Sequence, residues 1–82
     1  MNEVGKVTHY YGKIGVAIVE LSGALRVGDR IKIHSKHGEF EQTVGSMEVE
    51  HKPVTEAKKG DVIGLKVEGK APEGATVSKL EG

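Results

Sequence analysis

The chain has 82 residues, 12 of them Gly and none Cys or Trp, with 12 Lys+Arg set against 12 Asp+Glu for a formal net charge of zero. That length holds one domain and one core, which excludes a two-domain enzyme with an interdomain cleft, and the longest apolar run, Val16 to Val19, falls far short of the ~20 residues of a membrane-spanning helix. Without Cys there is no disulfide, thiolate nucleophile or Cys-type zinc site, and a neutral chain has no overall pull on nucleic acid or acidic membrane, so any such contact must be local.

The first residues do not read as a signal peptide. The expectation is a single soluble, cytoplasmic domain over residues 1–82, with no membrane contact. Among apolar residues, 11 Val and 5 Ile outnumber 4 Leu and 5 Ala. β-Branched side chains suit a pleated surface and lose rotamer freedom in a helix, so the chain is expected to be all-β.

Strands are predicted at Glu3–Tyr10, Ile14–Leu21, Arg30–Ser35, Phe40–Val49, Val62–Val67 and Ala75–Leu80, each an apolar-alternating run bounded by turn residues. Short strands at this spacing close into a small barrel or sandwich, because closure removes exposed edges. Between the third and fourth strands, His37-Gly38 is the expected hairpin loop. Lys36 then faces Glu39, Ser35 faces Phe40, His34 faces Glu41, Ile33 faces Gln42, and Ile31 faces Val44. Alternation puts Ile31, Ile33, Phe40 and Val44 on one side and Lys32, His34, Lys36, Glu39 and Glu41 on the other.

A weak internal repeat runs through the chain. Gly28-Asp29-Arg30-Ile31-Lys32-Ile33 is echoed by Gly60-Asp61-Val62-Ile63-Gly64-Leu65-Lys66-Val67, a Gly-Asp turn feeding an alternating strand. From Glu48 to Lys59 the chain is polar around Pro53, which predicts a bend or arm, with at most a helical turn over Thr55–Lys59. Lys70-Ala71-Pro72-Glu73-Gly74 reads as a turn into the last strand.

Candidate chemistry is sparse. His34 and His37 form His-x-x-His, but across a hairpin they aim apart, and no Cys or carboxylate cluster completes a metal set. Ser22, Ser35, Ser46 and Ser78 lack a triad context, the acids fall at turns or on outward positions, and Tyr11-Gly12-Lys13-Ile14-Gly15 lacks the spacing of a phosphate loop. No catalytic residue, metal or cofactor is assigned. Charge is more informative: residues 26–37 carry Arg26, Arg30, Lys32 and Lys36 against Asp29, a net of +3, while residues 39–50 carry Glu39, Glu41, Glu48 and Glu50 and no base, a net of −4. Either the two segments pair across the hairpin, or the four bases form a patch for a phosphate backbone or another partner.

The motif spacing resembles a known family. Gly23-Ala24-Leu25-Arg26-Val27-Gly28-Asp29-Arg30-Ile31-Lys32-Ile33 is similar to the Gly-x-Leu/Ile-x-Val-Gly-Asp/Glu-x-Val/Ile segment in the second domain of translational GTPases such as elongation factor Tu and initiation factor 2. Val44-Gly45-Ser46-Met47 looks like that domain's Val-x-Ser-Met/Ile strand, and Val54-x-x-Ala57-x-x-Gly60-Asp61-x-x-Gly64-Leu65 like its Val-x-x-Ala-x-x-Gly-Asp-x-Val/Ile-Gly-Leu segment. The resemblance covers residues 4–67 and implies a closed antiparallel β-barrel of six to seven strands. In that family the barrel is an accessory module that contacts the GTPase domain and aminoacyl-tRNA or ribosomal RNA.

GTP chemistry belongs to a preceding domain, so it does not carry over. Tyr11-Gly12-Lys13-Ile14-Gly15-Val16-Ala17 stands where Tu-type members have a Gly-Arg-Gly-Thr-like stretch, so no residue of the aminoacyl-end pocket carries over either. The resulting expectation is a non-enzymatic module that binds RNA or a ribosomal or translation protein through Arg26, Arg30, Lys32 and Lys36. The alternative is a protein-interaction barrel that docks on a larger enzyme, as similar barrels do at the ends of some peptidases.

Overall fold

A computed structural model describes residues 2–80; Met1, Glu81 and Gly82, the ends of the expected domain range, lie outside the described residues. Ten strands run in chain order: β1 (Asn2–Tyr11), β2 (Val16–Leu21), β3 (Leu25–Arg26), β4 (Arg30–Ser35), β5 (Gly38–Thr43), β6 (Met47–Val49), β7 (Lys52–Val54), β8 (Glu56–Ala57), β9 (Val62–Lys66) and β10 (Thr76–Lys79). Eight form one antiparallel sheet in the order β5-β4-β10-β1-β2-β9-β6-β7, and β3 pairs with β8. The all-β expectation holds.

Alternation decides what is buried. Ala17, Val19 and Leu21 of β2, Ile31 and Ile33 of β4, Ile63 and Leu65 of β9, and Val77 of β10 face inward, with Val7, Leu25, Val44 and Met47 beside them. Each Val, Leu or Ile so buried contributes about 1.5–3 kcal/mol relative to exposure. β1 reaches across two neighbours by bulging between Glu3 and Gly5 and again between Val7 and His9. Gly5 is needed there: a Cβ would stand 2.6 Å from Val19 Cγ1 and 3.1 Å from the Glu20 carbonyl oxygen.

The expected closed barrel of six or seven strands is corrected on two points: the strands number ten among the described residues, and no ladder joins the end strands β5 and β7. On the β5 side, a side chain spans the gap instead. Gln42, only 2% exposed, donates from Nε2 to the Lys66 carbonyl (2.9 Å) and accepts from the Glu68 N–H (2.7 Å) through Oε1. A primary amide can do what a strand does, giving one donor and one acceptor to a neighbouring backbone.

Predicted boundaries also move. Ile14 is in a turn, its N–H donating to the Tyr11 carbonyl, and β2 starts at Val16. The single strand expected over Phe40–Val49 is two, because Val44 bonds through both its N–H and its carbonyl to the Gly28-Asp29 turn (2.8 Å each), after which the chain crosses to pair with β9. The hairpin loop is Lys36-His37, which gives pairs His34–Glu39, Ile33–Phe40 and Lys32–Glu41. Ser35 Oγ accepts from the His37 N–H and donates to the Gly38 carbonyl (3.2 Å each), closing the turn one residue earlier than predicted. Partners move by two positions, so the inward and outward faces stay as expected.

The internal repeat is a repeated turn. In Arg26–Asp29 and Lys58–Asp61 the Asp N–H donates to the carbonyl three residues back (3.1 and 3.0 Å), and the Asp carboxylate accepts from that residue's N–H (2.9 and 3.0 Å). Gly28 (φ +99°) and Gly60 (φ +93°) supply the positive φ that the third position of a type II turn demands. The antiparallel pairing of β3 with β8, Leu25 opposite Ala57 and Arg26 opposite Glu56, sets the two turns at opposite ends of this short ladder. The polar arm resolves into β7 and β8, with no helical turn over Thr55–Lys59.

Pro53 is the middle residue of the edge strand β7, opposite Glu48. In a hairpin with a two-residue loop the flanking pair, here Val49 and Lys52, exchanges both backbone bonds and the next pair faces away. The N–H that proline lacks therefore falls on the free edge.

Candidate functional site

Two surfaces compete for attention, and the first is the basic segment. Arg26, at the end of β3, holds Nε 3.3 Å from Glu56 Oε2 on β8. On the outer face of β4, Arg30 lies 3.6 Å from Glu41 Oε1 and donates to Thr43 Oγ1 (3.2 Å). Lys32 Nζ is 3.1 Å from Glu39 Oε1, and His34 Nδ1 is 3.1 Å from Glu39 Oε2, in place of the expected Glu41. The Lys32 ammonium, with His34 second, holds the Glu39 carboxyl below its ordinary range. Lys36 sits in the β4–β5 turn and makes no ion pair among the described residues.

Cross-strand pairing thus accounts for three of the four bases. Exposed pairs of this kind contribute about 0–1 kcal/mol each, and they leave less free positive charge for an outside partner than the +3 count implies. Asp29, the one acid of the basic segment, pairs with Lys79 (3.1 Å) besides capping its own turn. Glu48 and Glu50, half of the acidic segment, enter no ion pair among the described residues. They lie elsewhere, on the second surface.

That surface is a groove of about 420 Å³ over the outer face of β2 and β9, beneath the β6–β7 hairpin. Its apolar lining comes from Tyr11, Ile14, Val16, Ile18 and Val62, and its rim from Glu48, Glu50 and His51. Of the four large hydrophobic side chains most exposed among the described residues, three stand here: Tyr11 at 50%, Ile14 at 61% and Val62 at 51%.

The floor is Gly64. It lies in the cross-strand row between Ile18 on β2 and Glu48 on β6. Its φ is not in the left-handed region, and a Cβ there would meet Val16 and Ile18 at an ordinary 3.6 and 3.9 Å. Neither backbone nor packing requires glycine, so what the missing side chain provides is the depression itself.

Over the rim, Glu50 (φ +53°) and His51 (φ +66°) form the two-residue loop of the hairpin, both in the left-handed region usually left to Gly or Asn. The remaining histidines are scattered: His37 lies in the β4–β5 loop, and His9 tilts against Tyr11 at 6.1 Å between ring centres. Among the described residues no three His, Cys, Asp or Glu converge on a point where a metal ion could sit.

No motif assembles this groove: Gly64 enters the sequence reading only within the Gly-Asp repeat and the family-like segment, and residues 11–17 only as a departure from the family pattern. The available signal is a glycine inside an otherwise alternating strand, with no turn to explain it.

Among the described residues, ten antiparallel strands and twin Gly-Asp turns define a β-barrel-like domain. The chain belongs to the family described as elongation factor Tu domain 2, whose pattern matches residues 12–79. Relatives from outside translation also match. The chain is 41% identical over 80 residues to a protein of Methanocaldococcus jannaschii named uncharacterized protease MJ0090, covering 96% of this chain and 20% of that one. The chain thus spans about a fifth of that relative's length.

Two crystal structures of the C-terminal domain of a putative U32 peptidase from Geobacillus thermoleovorans, one a selenomethionine variant, superpose with TM-scores of 0.91. They are 20% and 19% identical, covering 96% and 98% of this chain and 100% and 93% of theirs, a likeness of fold. A translation factor standing alone is not what the relatives resemble.

Proposed function

We propose that the domain is a non-catalytic accessory module that docks on a larger protein of the peptidase type. The observation that carries the reading is the 41% identity that fills this chain while leaving four-fifths of a protease-named relative unmatched. A module retained beside so much other chain is used for contact, and the groove offers an exposed apolar surface for one.

The RNA or ribosomal partner has less behind it. Arg26, Arg30 and Lys32 are engaged by Glu56, Glu41 and Glu39, and neither relative is a translation factor by name. Affinity capture from an extract of the source organism, with and without nuclease, tests the choice. A larger protein should be captured equally in both. Capture that disappears with nuclease, or salt-sensitive RNA binding that is lost when Arg30→Glu and Lys32→Glu are combined, would favour RNA and overturn the docking reading.

A further inference from the structure

We infer that the groove between the β2–β9 face and the β6–β7 hairpin is the docking site, and that its occupant is a protein segment presenting one bulky apolar side chain, Leu, Met or Phe, next to Lys or Arg. The inference rests on the docking reading and narrows it to one face and one ligand chemistry.

Four observations converge. The floor is open because residue 64 has no side chain, although a β-branched residue there would suit the strand better. Tyr11, Ile14 and Val62 hold their apolar surface in water around it, an arrangement that burial of a partner's side chain would relieve. The lining contains two carboxylates, Glu48 and Glu50, and no Lys or Arg. Such a rim selects a basic flank and repels a phosphate backbone.

Finally, Glu50 and His51 are kept in a conformation unfavourable for side-chain-bearing residues, and strain of this kind persists where the surrounding structure has a use for it. Here it holds the hairpin tip over the groove. Strand addition is a poor alternative, because Pro53 presents no donor on the free edge of β7. Recognition is therefore by side-chain insertion.

Selection of a random peptide library on phage against the domain tests this directly. Enriched peptides should pair a large apolar residue with Lys or Arg. Gly64→Val, which fills the floor and suits a strand, should keep the melting temperature and weaken a selected peptide by about tenfold or more. Glu48→Lys with Glu50→Lys should shift selection toward acidic flanks, and this readout does not depend on the Gly64 variant folding.

Failure to enrich, enrichment of acidic or wholly polar peptides, binding unmoved by Gly64→Val, or displacement of the peptide by single-stranded RNA would each overturn the inference. The two readings also separate. If Gly64→Val still captures the nuclease-resistant partner, docking stands and this face is wrong. If selected peptides occupy the groove but no larger protein is captured, the groove stands and the docking reading falls.

Discussion

Replacing Gln42 by Met keeps the length and apolar stem of the side chain and removes only its amide. Two backbone groups then lose their partners: the Lys66 carbonyl, bonded at 2.9 Å, and the Glu68 N–H, bonded at 2.7 Å. An orphaned buried donor or acceptor costs about 1–3 kcal/mol, and with this site only partly shielded the lower half of that range applies to each, giving about 2–4 kcal/mol. For a domain whose total stability is of order 4–12 kcal/mol, that is a large fraction. At roughly 4–8 °C per kcal/mol it lowers the melting temperature by about 8–32 °C.

Circular dichroism melts and urea titrations of the two proteins measure it, and hydrogen exchange at the Glu68 amide should accelerate with the global change. Gln42→Glu adds a sign check. At neutral pH its carboxylate cannot donate to Lys66; protonation restores a donor, so its folded pKa is raised and its deficit should shrink as the pH falls. If Gln42→Met lies within about 0.5 kcal/mol of the parent, the size of an ordinary surface change, packing alone holds the seam and the bridging argument is wrong.

Gly5→Ala places a methyl 2.6 Å from Val19 Cγ1 and should cost about 1–3 kcal/mol in a thermal melt, as overpacking does. Asp61→Ala removes one turn-closing bond and should cost about 1 kcal/mol; Asp29→Ala should cost more, because it also abandons Lys79, and equal losses in urea would contradict that ordering. Glu39 should titrate below its ordinary value of 4.5 because Lys32 and His34 bond to it. A lowered folded pKa gives stability that is present above the ordinary value and lost as the pH falls through the lowered one. Carboxyl-carbon NMR should show Lys32→Ala moving the Glu39 midpoint upward, and an unmoved midpoint would mean that the pair does not form in solution.

What the sequence discloses follows from how local each cause is. The Gly28-Asp29 and Gly60-Asp61 turns are readable because four residues contain all their bonds. The inward set Ile31, Ile33 and Val44 is readable because alternation survives a loop moved by one residue. The register itself is not: Ser35, more than the glycine, closes the turn, and both residues are plausible closers in a string of letters. Gln42 is opaque for a different reason. Its neighbours Phe40 and Val44 share its parity, but polarity argues for the outside, and only the backbone of Lys66–Glu68, 24–26 residues away, makes an amide welcome inside. The groove depends on three separate stretches meeting and on one absent side chain, which no motif records. The basic segment is visible as charge, yet its pairing with Glu39 and Glu41 appears only once the strands are aligned.

Pro53 has a consequence for the docking proposed above. An open antiparallel sheet tends to recruit further strands, from copies of itself or from whatever chain it adjoins. Here one end of the ladder carries an imino acid at its centre, and the other is tied by Gln42 to Lys66 and Glu68. Proline breaks the run of donors at the β7 end, so a neighbour docked as proposed would be held against that edge without fusing into its sheet. Contact of that kind would be made through side chains and released again.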